Sequence, residues 1–412
     1  MKIIRLSHPT KKVIGKIQIP GSKSESNRLL FLQAMYFPEM EISGLSNSRD
    51  TALMQQLINA SLPEVDIRDA GTAMRFGTAY LSAKAKKKYR LTGSKRMQKR
   101  PIGILVEALR KVGAQIEYVG DEGFPPLNIT GGRLKGGTIK MDASVSSQFI
   151  SALMMLGPGM LQPLHIKLSG TLVSTPYWQL TGHIMRSLGF KVLWEGGEIW
   201  IENEVPKLTK NISVEPDWTA ASYWYLQSLL AQKAEVFLTG FKEHSLQGDA
   251  FVSDLFEPLG VQSLGMGTGF RLRVKPVLPK TIEVNLVHNP DLAQSLAVAY
   301  AAKNIRAKIT GLQSLKIKET DRLHALKKEL EKTGAQIEIG PDFLGVKKGI
   351  EKVEGLCFDT YEDHRMAMCL APLALLGSIQ IKNPEVVNKS YPTFWADLEK
   401  VGFHIYRESN ET

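Results

Sequence analysis

The sequence predicts a mixed α/β protein of two domains, each assembled from three repeated βαβαββ-type units. Three observations carry this expectation. A strand-like stretch ending in a hydrophobic–Ser/Thr–Gly triplet recurs along the chain: Ile42-Ser43-Gly44, Leu91-Thr92-Gly93, Leu168-Ser169-Gly170, Leu238-Thr239-Gly240 and Ile309-Thr310-Gly311, with Ile381-Lys382-Asn383 as a degenerate sixth. A helical pattern follows each of the last five and ends at a glycine, Gly113, Gly189, Gly260, Gly334 or Gly402, lying 19 to 23 residues downstream. The chain has 412 residues, too many for one ordinary core.

The third positions of the triplets are 49, 77, 70, 71 and 72 residues apart, so the first unit is shortened and the rest are regular. Units of this length exceed the usual 20–50-residue solenoid repeat. A glycine closing a helix supplies the left-handed C′ conformation. Strands are expected after it, at Gln115–Tyr118, Lys191–Trp194 and Gln336–Ile339. The helices between read as amphipathic, through Ile104, Leu105, Ala108 and Leu109, or Leu323, Leu326 and Leu330. A break near Val214-Glu215-Pro216-Asp217 separates units three and four.

Composition narrows the function classes. The chain is 43% hydrophobic and 23% charged, which fits a globular protein rather than a disordered one. No apolar run reaches the about 20 residues that span a bilayer, and Met1–Lys12 lacks the apolar core of a signal peptide. The two cysteines, Cys357 and Cys369, form no CxxC pair, so neither a disulfide framework nor a zinc site is expected. The net charge of +11 favours anionic ligands. The densest basic run, Lys84–Arg90, reads as a solvated turn or strand edge. No zinc-finger spacing or RNP-like aromatic motif points to nucleic acid.

Several polar segments sit before helices. In Pro20–Arg28 (PGSKSESNR), a strand over Val13–Ile19 runs into the turn and a helix over Leu29–Met35 leaves it. Backbone N–H groups and hydroxyls at a helix start, with Lys23 and Arg28, suit an anion; a plain Ser/Asn cap is the simpler alternative. Gly15 and Gly21-Ser22-Lys23-Ser24 miss the P-loop spacing by one residue, which rejects a nucleotide P-loop. In Asp69–Arg75, Gly71 lets a ligand approach the backbone. Arg96–Pro101 is a basic loop whose Pro101 suits a first helical position. Ser144–Phe149 sets hydroxyls and the Gln148 amide before an apolar helix over Ile150–Leu156. In the second half, Asp291 opens an Ala-rich helix. Lys316–Arg322 opens another, with Lys318 and Arg322 on one face and Glu319 three residues from Arg322. Glu362–Met368 joins acid, His364 and Arg365 to a buried apolar segment. Each alone is also an ordinary cap or ion pair. Together they describe cation-bearing loops with few carboxylates, suited to two anionic ligands.

In sum these residues resemble the EPSP synthase family of enolpyruvyl transferases. The resemblance rests on PGSKSESNR at 20–28, DAGTAMR at 69–75, LTGSKRMQKRPI at 91–102, SVSSQF at 144–149, SLQGD at 245–249, KETDRL at 318–323 and DHRMAM at 363–368, in family order over nearly the whole chain. It implies two domains, residues 1–20 plus 216–412 and residues 21–215, with the active site in the cleft between them. It implies transfer of the enolpyruvyl group of phosphoenolpyruvate to the 5-hydroxyl of shikimate 3-phosphate. The implied contacts to shikimate 3-phosphate are Lys23, Ser24, Arg28, Ser146, Ser147, Gln148, Ser174, Tyr177, Asp291, Ser314 and Lys318. Those to phosphoenolpyruvate are Lys23, Gly71, Arg100, Gln148, Arg322, Arg365 and Lys389. Asp291 is the implied base at the 5-hydroxyl and Glu319 the implied acid at the methylene carbon, with Lys23 assisting. No cofactor, metal, nucleic acid or membrane is called for, and a cytoplasmic monomer of the shikimate pathway is expected. The chain departs from the family pattern at Asp69 (often Asn), Phe76 (often Pro), Thr175 (often Lys) and Ser314 (often Asn). The related UDP-N-acetylglucosamine enolpyruvyl transferases use a cysteine in the first half, where this chain has none. A non-catalytic anion-binding module would have no need of Asp291 or Glu319.

Overall fold

The computed structural model describes residues 2–60, 63–84, 87–144, 146–207, 211–275 and 277–407. Val145 of the Ser144–Phe149 segment, and Ala85 and Lys86 of the basic run, lie outside the described residues. The chain divides into two compact units. The first combines Met1–Pro20 with Glu215–Thr412 and the second is Gly21–Val214.

Strands β1 (Ile3–Ser7) and β2 (Lys12–Ile17) open the first unit. The second unit starts with α1 (Lys23–Tyr36), β3 (Ile42–Ser43) and α2 (Arg49–Ile58). One arrangement then occurs twice: β4 (Glu64–Asp66), α3 (Gly71–Ala83), β5 (Lys88–Thr92), α4 (Gly103–Lys111), β6 (Gln115–Tyr118) and β7 (Leu127–Thr130), followed by β8 (Gly137–Asp142), α5 (Ser147–Leu156), β9 (Leu164–Ser169), α6 (Thr175–Ser187), β10 (Val192–Glu195) and β11 (Glu198–Ile201). The short β12 (Ile212–Ser213) pairs in parallel with β3, and this two-stranded sheet is the shortened first unit of the repeat. The rest of the first unit runs α7 (Trp218–Leu230), β13 (Lys233–Thr239), α8 (Val252–Phe256), β14 (Val261–Gly265) and β15 (Gly269–Val274). Then come β16 (Thr281–Asn285), α9 (Ala293–Ala302), β17 (Arg306–Thr310), α10 (Arg322–Glu331), β18 (Gln336–Ile339) and β19 (Leu344–Lys348). The last elements are β20 (Leu356–Phe358), α11 (His364–Leu370), β21 (Ile379–Lys382), α12 (Phe394–Lys400) and β22 (His404–Arg407).

Among the described residues, three of the five four-stranded sheets share one topology in sequence order. Two parallel strands joined through a helix are followed by an antiparallel hairpin, as in β4-β5-β7-β6, β8-β9-β11-β10 and β16-β17-β19-β18. Parallel neighbours need such a crossover, which explains the helix between the parallel strands of these three sheets. The N-terminal strands complete two sheets of the first unit. β2 pairs in parallel with β13, and β1 lies antiparallel between β21 and β22.

In each unit one helix of every repeat is buried and the sheets lie outside it. In the second unit α3 is buried from Gly71 through Ser82, and α1 and α5 pack on it. In the first unit α7, α9 and α11 pack on one another and are buried along most of their length. A helix apolar all round has no stable place but a core. The other helices are amphipathic.

The repeat's glycines are placed by backbone need. Gly113, Gly189, Gly260, Gly334 and Gly402 all have positive φ, and Asn383 of the degenerate triplet has φ 48°. Gly93 is the exception: it is not left-handed, but a Cβ there would come within 2.5 Å of the Arg68 carbonyl oxygen.

Element starts differ from the sequence reading in several places. The helix expected from Leu29 begins at Lys23, because Ser22 caps it by accepting from Glu25 N. The strand before it ends at Ile17. Pro101 is not a first helical position: α4 starts at Gly103, and Met97–Lys99 is a 3-10 turn. Helix α10 starts at Arg322 with Asp321 as its cap, so Lys318 and Glu319 lie before it and no helical face joins Lys318 to Arg322. Lys88, Tyr89 and Arg90 belong to an interior strand rather than to a turn or edge.

Candidate functional site

Each unit gathers polar residues at the starts of helices. A helix start exposes unpaired N–H groups and a positive dipole end, and both favour anions.

In the second unit, Lys23 is the first residue of α1 and donates from Nζ to Asp50 Oδ2 at 3.2 Å. Asp50 is buried in the first turn of α2, and its Oδ1 has no hydrogen-bond partner among the described residues. Ser146 caps α5, with Ser147 and Gln148 following it, and Gln148 Nε2 donates to Thr72 Oγ1 at 3.2 Å. That bond ties the start of α5 to the start of α3, where Gly71 sits. A Cβ on Gly71 would lie 2.7 Å from Arg100 Nη1, so glycine makes room for the guanidinium. Arg28 is buried. Its Nε donates to Thr181 Oγ1 at 2.6 Å, Nη1 to the Ser24 carbonyl at 2.7 Å, and Nη2 to Ser151 Oγ at 3.1 Å and the Tyr177 carbonyl at 2.8 Å. Its carbon lies 5.4 Å from the Phe76 ring centre. Burial lowers its pKa to about 10. Arg28 therefore pins α1, α5 and α6 together. Ser174, at the cap of α6, is held left-handed at φ 55°. Asp69 is paired with Arg49 at 2.6 Å.

In the first unit, Arg322 is the centre of a charge network and is 1% exposed. Its Nε donates to Asp363 Oδ2 at 2.7 Å, Nη1 to Asp291 Oδ1 at 2.9 Å and Nη2 to Glu319 Oε2 at 2.9 Å. Arg365 Nη2 donates to Asp291 Oδ2 at 2.9 Å, and its Nη1 reaches the Tyr223 hydroxyl at 3.4 Å. Lys318 lies 3.7 Å from Asp291 Oδ1, and Lys389 lies 3.2 Å from Glu319 Oε1. Four cations thus interleave with three carboxylates. Burial pushes the Asp291 carboxyl up, but Arg365, Lys318 and Arg322 outweigh it and hold it well below the usual carboxylate range. Burial opposes the charge on Arg322, while Asp363, Glu319 and Asp291 more than restore it. Ser314 Oγ is buried with no hydrogen-bond partner among the described residues.

The structure therefore brings together Lys23 with Asp50, Gly71 with Arg100 and Gln148 with Thr72 in one unit. In the other it joins Asp291, Lys318, Glu319, Arg322, Arg365 and Lys389. Sequence reasoning missed Asp50, Ser151, Thr181, Tyr223 and the part played by Asp363. Ser48, the cap that opens α2, was the available signal for Asp50. The others meet their partners only through packing.

In the first unit the cations are held by carboxylates, whereas in the second Lys23 is held by Asp50 and Arg28 by hydroxyls and carbonyls. Bidentate guanidinium groups match carboxylate and phosphate geometry. Asp291 and Glu319 are the carboxylates that stand beside those cations. Among the described residues, no cluster of His, Cys, Asp or Glu has the form of a metal site, and no helix is long and apolar enough to cross a membrane.

Comparison with known proteins gives one answer. Residues 59–398 match the model of the EPSP synthase (3-phosphoshikimate 1-carboxyvinyltransferase) family. A 3-phosphoshikimate 1-carboxyvinyltransferase of Bacteroides fragilis (strain YCH46) is 44% identical over 403 residues, spanning 97% of this chain and 98% of its own. One from Sulfurovum sp. (strain NBC37-1) is 34% identical over 422 residues, spanning 95% and 98%. The EPSP synthase structure of Acinetobacter baumannii superposes with a TM-score of 0.78 at 22% identity, over 99% of this chain and 100% of that one. The enolpyruvyl transferase NikO of Streptomyces tendae does so with a TM-score of 0.75 at 15% identity, over 99% of both chains. At such identities the two structures speak for the fold, and the family model and the sequence relatives speak for more: this chain belongs to the EPSP synthase family.

Proposed function

We propose that this chain transfers the enolpyruvyl group of phosphoenolpyruvate to the 5-hydroxyl of shikimate 3-phosphate and releases inorganic phosphate. The observation that carries the reading is the pair Asp291 and Glu319 interleaved with Arg322, Arg365, Lys318 and Lys389. Addition to an enol phosphate needs a proton donor at carbon and a base at oxygen, beside cations that hold a carboxylate and a phosphate.

In this reading Asp291 takes the proton of the 5-hydroxyl as its oxygen bonds to C2 of phosphoenolpyruvate, and Glu319 protonates C3. The tetrahedral adduct then collapses: a C3 proton returns to Glu319, the C2–O bond to phosphate breaks and the enol double bond re-forms. Lys23 supports the proton traffic and the departing phosphate. A strongly ion-paired Asp291 is a weak base. Anionic substrate arriving at Arg365 and Arg322 competes for those cations and raises the basicity of Asp291 where the reaction needs it.

Shikimate 3-phosphate is assigned to Lys23, Ser24, Arg28, Ser146, Ser147, Gln148, Ser174, Tyr177, Asp291, Ser314 and Lys318. Phosphoenolpyruvate is assigned to Lys23, Gly71, Arg100, Gln148, Arg322, Arg365 and Lys389. The buried Arg28 serves the phosphate mainly by holding Ser24 and Tyr177. We further assign two domains, residues 1–20 plus 216–412 and residues 21–215, which differ from the two units only in the side on which Glu215 falls, of a monomer working in the cytoplasm. The deciding measurement is phosphate release with both substrates, each omitted in turn. Release requiring both supports the assignment; no release from folded protein overturns it.

A further inference from the structure

Arg365 and Asp363 follow a backbone segment that is hard to hold. Tyr361 and Glu362 are consecutive non-glycine residues with φ 51° and 57°. Left-handed pairs of this kind persist only where their surroundings impose them. The surroundings here are specific. Glu329, in α10, is fully buried. Its Oε1 accepts from the Tyr361 hydroxyl at 2.6 Å, and its Oε2 accepts from Asp359 N at 2.9 Å. Lys332 Nζ donates to the same Oε2 at 2.5 Å and to the Cys357 carbonyl at 3.0 Å. Asp359 Oδ1 in turn accepts from Tyr361 N at 2.9 Å, and the Thr360 carbonyl accepts from Asp363 N at 2.8 Å. At its other end, α10 grips the same segment through Arg322 and Asp363 at 2.7 Å. One helix thus clamps residues 359–363 at two points two turns apart. Burying a carboxylate is costly unless donors compensate it, and here Tyr361, Asp359 N and Lys332 do so.

We infer that Glu329 is a positioning residue. Its carboxylate fixes the left-handed Tyr361–Glu362 turn on α10 and so sets Arg365 against Asp291 for an anionic substrate. The inference rests on the assignment of Arg365 to phosphoenolpyruvate. Glu329 acts on Arg365 through the turn.

The test compares Glu329→Ala, Tyr361→Phe and Glu329→Gln. Phosphate release is measured with each substrate varied in turn, together with melting temperature and crystal structures of the first two variants. Glu329→Ala should raise the KM for phosphoenolpyruvate about tenfold or more, because a displacement of about 1 Å is enough. The KM for shikimate 3-phosphate should stay within about twofold. Tyr361→Phe should move the same way by less. Glu329→Gln keeps an acceptor for Asp359 N and a donor for Tyr361, and should recover most of the loss. A purely structural role would move both KM values together with the melting temperature, with Gln no better than Ala, and that result overturns the inference. So does a folded Glu329→Ala with unchanged kinetics. Should Glu329→Ala fail to fold, Tyr361→Phe decides, and an unchanged KM for phosphoenolpyruvate overturns the inference. Absence of turnover in the unsubstituted protein would refute the proposed reaction instead. The crystal structures still decide on Glu329 in that case. Arg365 displaced from Asp291 in a variant supports the inference, and Arg365 in place refutes it.

Discussion

Replacing Arg322 with Met removes the hub of the first unit's charge network while keeping the bulk of the side chain. Three carboxylates lose a partner, but unequally. Asp291 keeps Arg365 at 2.9 Å and Lys318 at 3.7 Å, and Glu319 keeps Lys389 at 3.2 Å. Asp363, whose side chain is fully buried, loses the guanidinium that reaches it at 2.7 Å. The cost is therefore that of one uncompensated buried charge, about 3–5 kcal/mol. In a unit of about 200 residues each kcal/mol shifts Tm by about 2–4 °C, so a fall of roughly 6–20 °C is expected. Urea unfolding followed by circular dichroism, with amide exchange of α10 and α11 read separately, assigns the loss to this unit. The double variant Arg322→Met with Asp363→Asn should recover part of the loss, because the orphaned charge is gone. A loss below about 1 kcal/mol, or no recovery in the double variant, would mean that the network behaves like solvated surface pairs, and the reasoning would be refuted.

Asp291→Asn should lower kcat far more than substrate affinity, as phosphate-release kinetics would read. It should also flatten the acid limb of the stability curve. The folded pKa of Asp291 is depressed, so its contribution is present above the unfolded value of about 3.9 and lost as pH falls toward the folded one. A wild-type and variant pair with the same slope below about pH 4 would contradict this. Gly71→Ala should push the Arg100 guanidinium aside and raise the KM for phosphoenolpyruvate with little change for shikimate 3-phosphate. Equal changes for both substrates would count against the assignment. Arg28→Met should destabilise the second unit by about 3 kcal/mol, since Thr181, Ser151 and two carbonyls lose a buried donor; a change under about 0.5 kcal/mol in urea unfolding would show that it is no pin.

Much of the architecture was legible because it is written locally. A strand ending, its glycine and the glycine that closes the following helix are backbone requirements. Gly113, Gly189, Gly260, Gly334 and Gly402 meet theirs at positive φ, and Asn383 stands in where glycine is missing. Helix starts were less legible. PGSKSESNR carries hydroxyls and charges that read as a loop, yet Ser22 caps a helix that already includes Lys23, Ser24 and Arg28. Packing of that helix in the unit's core outweighed its polar start. The separation between Lys318 and Arg322 suggested one helical face, whereas Asp321 caps α10 between them.

The sequence by itself determined the repeat, the polar motifs and their types, because strand period, helix caps and left-handed turns depend on residues close in the chain. Only the tertiary structure decided which charges meet. Arg322 and Asp363 are 41 residues apart, Arg28 and Thr181 are 153 apart, and Glu329 and Tyr361 are 32 apart. It also decided that Asp291 stays ionised: burial and three cations oppose each other there, and their balance depends on distances that no spacing along the chain encodes.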